Sequence, residues 1–285
     1  MRRLILAGSF LAVSCVSPAP EAPLRAPAWA PPSATIPVKV MRPDGAGPFP
    51  AIVMLHDCSG LGPRSSGAPA RWGELLRREG YVIVIPDSFS TRGFADGVCT
   101  NPSPTRNDVA PARRAADAYE ALAYARALPY VDGKHVGVMG GSHGGSSTLA
   151  TLAASRDPGF AAGIALYPGC NFRYGDWRPG GAGVYKPAAP LLILTGELDD
   201  WTPAEPCRQL AERSRGSGFP VEVKIYPGAH HSFDGDRPIR YVPERVNVNA
   251  PGGRGATTGG NAEAFADSVR EVRAFFDRHL RNTAR

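Results

Sequence analysis

Residues Val136–Leu149 read VGVMGGSHGGSSTL, an apolar run that meets a cluster of glycines enclosing Ser142 and His143. Glycines of this kind serve a phosphate cradle, a loose turn, or a sharp turn that presents a nucleophile. A phosphate-binding loop needs a Lys-Ser/Thr pair after its glycines, and a dinucleotide-binding turn needs G-x-G-x-x-G. Neither register fits here. What does fit is G-x-S-x-G, formed by Gly140, Gly141, Ser142, His143 and Gly144 between a strand-like run and a helix-like one. The pattern has a steric cause. A tight strand-to-helix turn strains the serine backbone and exposes its Oγ, and the positions two residues to either side must be small for strand and helix to approach. The helix that follows also directs its first amides towards an oxyanion.

Outward from this turn the chain alternates. TIPVKVMRPDGAGPFPAIVMLHD reads as two strands around a Pro-Asp-Gly turn, and AIVML is the continuous apolar run of a strand covered on both faces. ARWGELLRREG has helical periodicity and a glycine stop, YVIVIPDS is a buried strand, and NDVAPARRAADAYEALAYARAL is a long helix. After Ser142 come a helix, the strand FAAGIALYP, the strand PLLILTG, the helix PAEPCRQLAERSR and the strand VEVKIYP. A last helix, NAEAFADSVREVRAFFDRHL, sets Phe265, Val269, Val272, Phe276 and Leu280 on one face. The stretch DGDRPIRYVPERVNVNAPGGRGATTGG reads as long and irregular, either a partial cover or a surface loop. This alternation predicts an α/β fold, one domain with a mostly parallel central sheet and helices on both faces.

In such a sheet, ligands bind outside the carboxyl ends of the strands. The polar residues just after the apolar runs are His56 and Asp57, Asp87 and Ser88, Ser142 and His143, Asp199 and Asp200, and His230 and His231. A serine hydroxyl needs a base and an orienting carboxylate to act as a nucleophile. After a G-x-S-x-G turn these follow in the order Ser, Asp, His. LLILTGELDDWTP offers Asp199 or Asp200, and VEVKIYPGAHHSF offers His230 or His231.

Bulk properties narrow the partners. The 285 residues carry 43% apolar side chains and a formal charge of +6, but the basic residues are scattered, so no nucleic acid is expected as a partner. The start, MRRLILAGSFLAVSC, has two arginines, an apolar run too short to span a bilayer, and small residues before Cys15. We expect residues 1–15 to be a signal peptide with a lipobox-like end, lipidated at Cys15. Residues 16–34, rich in Pro and Ala, would be a tether before the domain at 35–285. The expected location is the periplasm or the outer-membrane surface of a Gram-negative bacterium, with membrane contact only through this anchor. Beyond Cys15 four cysteines remain, Cys58, Cys99, Cys170 and Cys207, with no CxxC pair, so disulfides are expected rather than a metal site, in any of three connectivities.

The motifs IVMLHDCSG, VIPDSF, VGVMGGSHGG, TGELDDWTP and YPGAHHSF together resemble the dienelactone hydrolase family of α/β-hydrolases, from about Thr35 to the C-terminus. The resemblance implies the α/β-hydrolase fold. It selects Asp199, with Gly196 and Pro203 in register, and His231 as partners of Ser142. Asp200 would then cap the helix near Pro203, and His230 would be a packed or solvent-facing neighbour. It also implies an oxyanion hole made by the backbone N–H groups of Cys58 and His143. Asp57 takes the family position of an acid near the nucleophile; Ser142 departs from members with a cysteine there. The adjacency of loops in this fold implies the pairs Cys58–Cys99 and Cys170–Cys207. Phe89, Tyr174, Trp177 and Trp201 are candidate pocket walls, the alternative being loop packing, and Arg92 is a candidate for a substrate carboxylate.

The expected protein is therefore a monomeric serine hydrolase of a small ester or lactone, with a Ser–His–Asp triad, an acyl-enzyme and no cofactor. A peptidase or acyltransferase would use the same triad. A further alternative is a non-catalytic envelope lipoprotein on the same scaffold, against which the intact Ser, Asp, His order argues.

Overall fold

The computed structural model describes residues 36–281 except 179 and 181. The expected signal peptide, Cys15 and the expected tether at 16–34 lie outside the described residues. Runs of Val, Ile and Leu supply the strands: β1 Val38–Met41, β2 Phe49–Leu55, β3 Val82–Pro86, β4 Val131–Gly141, β5 Ala162–Leu166, β6 Leu191–Gly196 and β7 Val221–Tyr226. Every residue of β3, β5 and β6 is buried, as a strand covered on both faces must be. They form one seven-stranded sheet in the order β1-β3-β2-β4-β5-β6-β7, parallel except for β1.

The Pro-Asp-Gly turn does not pair its two strands. β2 has both edges taken by parallel partners, β3 and β4, so β1 runs antiparallel along the free edge of β3, with Val38 opposite Pro86 and Met41 opposite Ile83.

Among the described residues four α-helices connect strands of the sheet, α1 Ala68–Arg78, α2 Pro111–Ala127, α3 His143–Ala153 and α4 Ala204–Gly216, and a fifth, α5 Ala262–Leu280, follows the last strand. Ala118 and Leu122 of α2, Leu149 of α3 and Leu210 of α4 share one core with one sheet face. Trp72 and Leu76 of α1 share the other with Val272, Phe275 and Phe276 of α5. Full burial of a side chain such as Phe276 stabilises by about 2–3 kcal/mol. Residues 240–258, read as irregular, form instead a two-stranded antiparallel hairpin, β8 Arg240–Val246 and β9 Arg254–Thr258. Disulfides join Cys58 to Cys99 and Cys170 to Cys207.

Two glycines set the approach of α3 to the sheet. A Cβ on Gly144 would collide with the Leu55 carbonyl oxygen, and one on Gly140 would stand 2.5 Å from the Gly144 carbonyl carbon and 2.8 Å from Leu55 O. Both obstacles are backbone, so nothing flexible can yield. Gly144→Ala is therefore expected to cost about 3 kcal/mol or more. Gly216→Ala, at the open end of α4 with nothing within 4 Å, is expected to be neutral or to stabilise by about 0.5–1 kcal/mol. Thermal melts of the two variants check the contrast, and equal melting temperatures would contradict it.

Candidate active site

Ser142 sits between β4 and α3 at φ 54° and ψ −117°, a region that non-glycine residues rarely adopt. Its amide donates to Leu166 O (2.9 Å), which fixes the turn against β5. The strain directs Oγ away from the strand, and Oγ lies 2.9 Å from His231 Nε2. The other ring nitrogen, Nδ1, is 2.8 Å from Asp199 Oδ2. An ionised carboxylate only accepts, so Nδ1 carries the proton and Nε2 is left to accept from the Ser142 hydroxyl. All three side chains are buried.

The acid loop after β6 is built around Asp199. Its Oδ1 accepts from the amides of Trp201 (3.0 Å) and Thr202 (2.8 Å). Thr202 Oγ1 stands 2.9 Å from Asp199 Oδ2 and 3.0 Å from His231 Nδ1, and also reaches Tyr167 O at 3.0 Å. Trp201 packs its ring 4.7 Å from that of His231. Asp200 does not cap α4. It accepts from Thr257 N and Thr257 Oγ1, both at 2.7 Å, and so ties strand β9 to the acid loop. The half-buried His230 is 3.0 Å from Leu198 O through Nδ1.

Ser142 opens into a cavity of about 520 Å³ also lined by Cys58, His143, Trp201 and Val246. The amides of Cys58 and His143 have no hydrogen-bond partner among the described residues. One side of the mouth is apolar, with Phe172 40% and Val248 68% exposed, and Arg106 and Asn107 bring polar groups to the same cavity. The hairpin closes one wall: Trp201 Nε1 donates to Val246 O (2.9 Å), Val246 N to Cys99 O (2.9 Å), and Asn247 Nδ2 to Asp200 O (3.0 Å).

Five of the residues expected around the substrate stand elsewhere. Arg92 forks onto Asp117 (2.6 and 2.7 Å) and donates to Ser88 O (2.7 Å), so its guanidinium is not free for a carboxylate. Phe89 is fully buried, edge-on to His56 at 4.4 Å and to His143 at 5.7 Å, and so supports the cavity from behind. Trp177 is sealed in the core with its Nε1 donating to Cys170 O (2.7 Å), beside Tyr174, whose hydroxyl donates to Gly169 O (2.7 Å). Asp57 faces a neighbouring polar cavity rather than that of Ser142. Its Oδ1 accepts from Ser59 N (2.7 Å) and Ser59 Oγ (2.5 Å), and its Oδ2 from Ser66 Oγ, which shapes the loop carrying Cys58. Trp201 alone of the six lines the Ser142 cavity.

Sequence reading missed Thr202, Phe172, Val246, Val248 and Arg114. Thr202 had a signal, its place three residues after the acid, where a hydroxyl and an amide can both turn back onto the carboxylate. His56 is buried with Nδ1 2.9 Å from Asp57 O and Nε2 accepting from Ser88 N at 3.2 Å. Burial, and then the Arg114 charge, hold this imidazole well below its ordinary pKa.

A serine, an imidazole and a carboxylate in line at the carboxyl edge of a parallel sheet define a hydrolase of the α/β-hydrolase fold. Residues 36–280 match the dienelactone hydrolase family. The chain belongs to that family and is, by that membership, a carboxylic ester hydrolase. It is 27% identical over 217 residues to a protein of Methylorubrum extorquens provisionally named carboxymethylenebutenolidase, covering 73% of this chain and 72% of that one. A provisionally assigned dienelactone hydrolase of Klebsiella pneumoniae superposes with a TM-score of 0.64 at 19% identity, over 90% of this chain and 98% of the other. Esterase 2 of Thermogutta terrifontis superposes with a TM-score of 0.60 at 17% identity, over 88% and 92%.

Proposed function

We propose that the protein cleaves a carboxylic ester or lactone of modest size through an acyl-enzyme on Ser142. The observation that carries this reading is the line from Ser142 Oγ through His231 to Asp199, at 2.9 and 2.8 Å. Ser142 Oγ attacks the carbonyl carbon while His231 Nε2 takes its proton. Asp199 holds the ring in the required tautomer and stabilises the imidazolium that forms. The developing oxyanion is received by the amides of Cys58 and His143. His231 then protonates the departing alkoxide, and the same nitrogen activates the water that releases the acid. Phe172, Trp201 and Val248 give the mouth an apolar side that suits hydrocarbon on the substrate. No step needs a cofactor.

Labelling with a fluorophosphonate tests the assignment. Ser142 should be modified, Ser142→Ala should not, and a folded protein whose Ser142 stays unlabelled would contradict it. Asp199→Asn is expected to lower turnover about 10³–10⁴-fold, whereas Asp200→Asn, which loosens only the hairpin, should stay within about tenfold. Amides cleaved as fast as matched esters would point to a peptidase instead.

We further propose that the chain is exported and anchored through a lipid on Cys15, with the domain acting as a monomer. Two disulfides support an oxidising compartment. Metabolic labelling with a fatty acid should mark the full-length protein, and a label that persists in Cys15→Ala would refute the anchor.

A further inference from the structure

Arg114 is fully buried on α2, behind the wall of the Ser142 cavity. Its Nη1 lies 2.8 Å from His143 Nδ1, while its Nε and Nη2 have no hydrogen-bond partner among the described residues. Of the carboxylates that act on it, the strongest, Asp117, is taken by Arg92 at 2.6 Å. A buried cation is costly unless its contacts compensate, and among the described residues the one hydrogen bond of this side chain is to His143. Phe89 holds the pair together, 5.1 Å from the guanidinium carbon and edge-on to the imidazole.

A guanidinium has donors and no acceptor, so Nδ1 of His143 must accept and the ring proton must sit on Nε2. Burial, then Arg114, then Arg106 from the turn at Pro104–Val109, push His143 well below the ordinary histidine pKa. Arg114, drawn down to about 10 by burial, is still charged at neutral pH. His143 lines the cavity with Ser142, and its Nε2 has no protein partner among the described residues. The cavity therefore contains a fixed neutral donor that the triad does not use.

Its side of the cavity follows from the sheet order. The leaving oxygen takes its proton from His231, which reaches Ser142 from beyond β7. The His143 ring packs with Phe89, which follows β3, and with Arg114 of α2, on the opposite side of β4. The parts of the substrate on the His143 side are thus the carbonyl oxygen, received by the Cys58 and His143 amides, and the acyl group, which stays on the enzyme when the alcohol departs.

We propose that His143, positioned by Arg114, is a specificity determinant whose Nε2–H binds an oxygen acceptor on the acyl group, so that oxygen-bearing acyl chains are preferred to plain alkyl ones. The inference rests on Ser142 being the residue acylated. The test uses p-nitrophenyl methoxyacetate and p-nitrophenyl butanoate, which differ by one oxygen in place of one methylene, with each kcat/KM divided by the ester's rate with hydroxide. The protein should prefer methoxyacetate about fivefold, the worth of one net hydrogen bond. His143→Phe should bring the ratio to about one, and His143→Gln, which restores an N–H donor at similar reach, should recover most of it. Arg114→Met should lower the ratio by raising KM for methoxyacetate. A ratio near one in the unaltered protein, or one that survives His143→Phe, overturns the proposal while Ser142 labelling still supports the hydrolase. Failure to turn over either ester, with Ser142 unlabelled, defeats the hydrolase reading and this proposal with it.

Discussion

The structure depends on how closely α3 approaches the carboxyl ends of β2 and β4. Gly140 and Gly144 leave no side chain between the helix and the Leu55 carbonyl, and this closeness makes the turn at Ser142 sharp enough to force φ to 54°. Everything placed around the serine is measured from that turn. The amide of His143 begins the helix, the loop carrying Cys58 leaves β2 alongside it, and the sheet brings the loops after β6 and β7 to the same edge. A side chain at either glycine would move the helix, and with it the amides and the nucleophile.

The parts that must stay in register are bound to one another rather than merely adjacent. The acid loop grips Asp199 through two amides and the Thr202 hydroxyl, and Asp200 passes the constraint on to the hairpin through Thr257. The hairpin returns to the acid loop at Trp201 and to the disulfide at Cys99. Cys99 is joined to Cys58, which lines the cavity. Nucleophile, base, acid and candidate oxyanion donors are thereby linked through short bonded paths, the arrangement that preorganisation requires.

Where one physical cause dominates, the sequence was readable. The buried strands, the helices and the elbow follow from apolar runs, helical periodicity and small residues at fixed spacing, and Ser142, Asp199 and His231 stand in the required order. The failures have separate causes. β1 shows strand propensity but not which edge it joins, because that is settled by which edges the other strands leave free. The hairpin was read as irregular because β8, RYVPERV, alternates no apolar face. It is held by backbone groups and by Asn247 and Thr257, which leave no periodic trace. Arg92, Phe89 and Trp177 lie in loops at the right edge to reach the substrate, yet loop membership does not tell inward from outward. Each is satisfied internally, by Asp117, by two histidines and by the Cys170 carbonyl. Arg114 left no signal, since one arginine in an arginine-rich helix does not reveal that it is the one turned inward.

The central claim is that Ser142 carries the acyl group between two half-reactions. Rapid acid quenching of the protein during turnover of p-nitrophenyl butanoate, followed by intact-mass and peptide analysis, addresses it directly. The account predicts a butanoyl adduct on the peptide that contains Ser142, formed within the first turnover and absent from Ser142→Ala. Steady hydrolysis with no adduct on that peptide, or activity that survives Ser142→Ala, would contradict it.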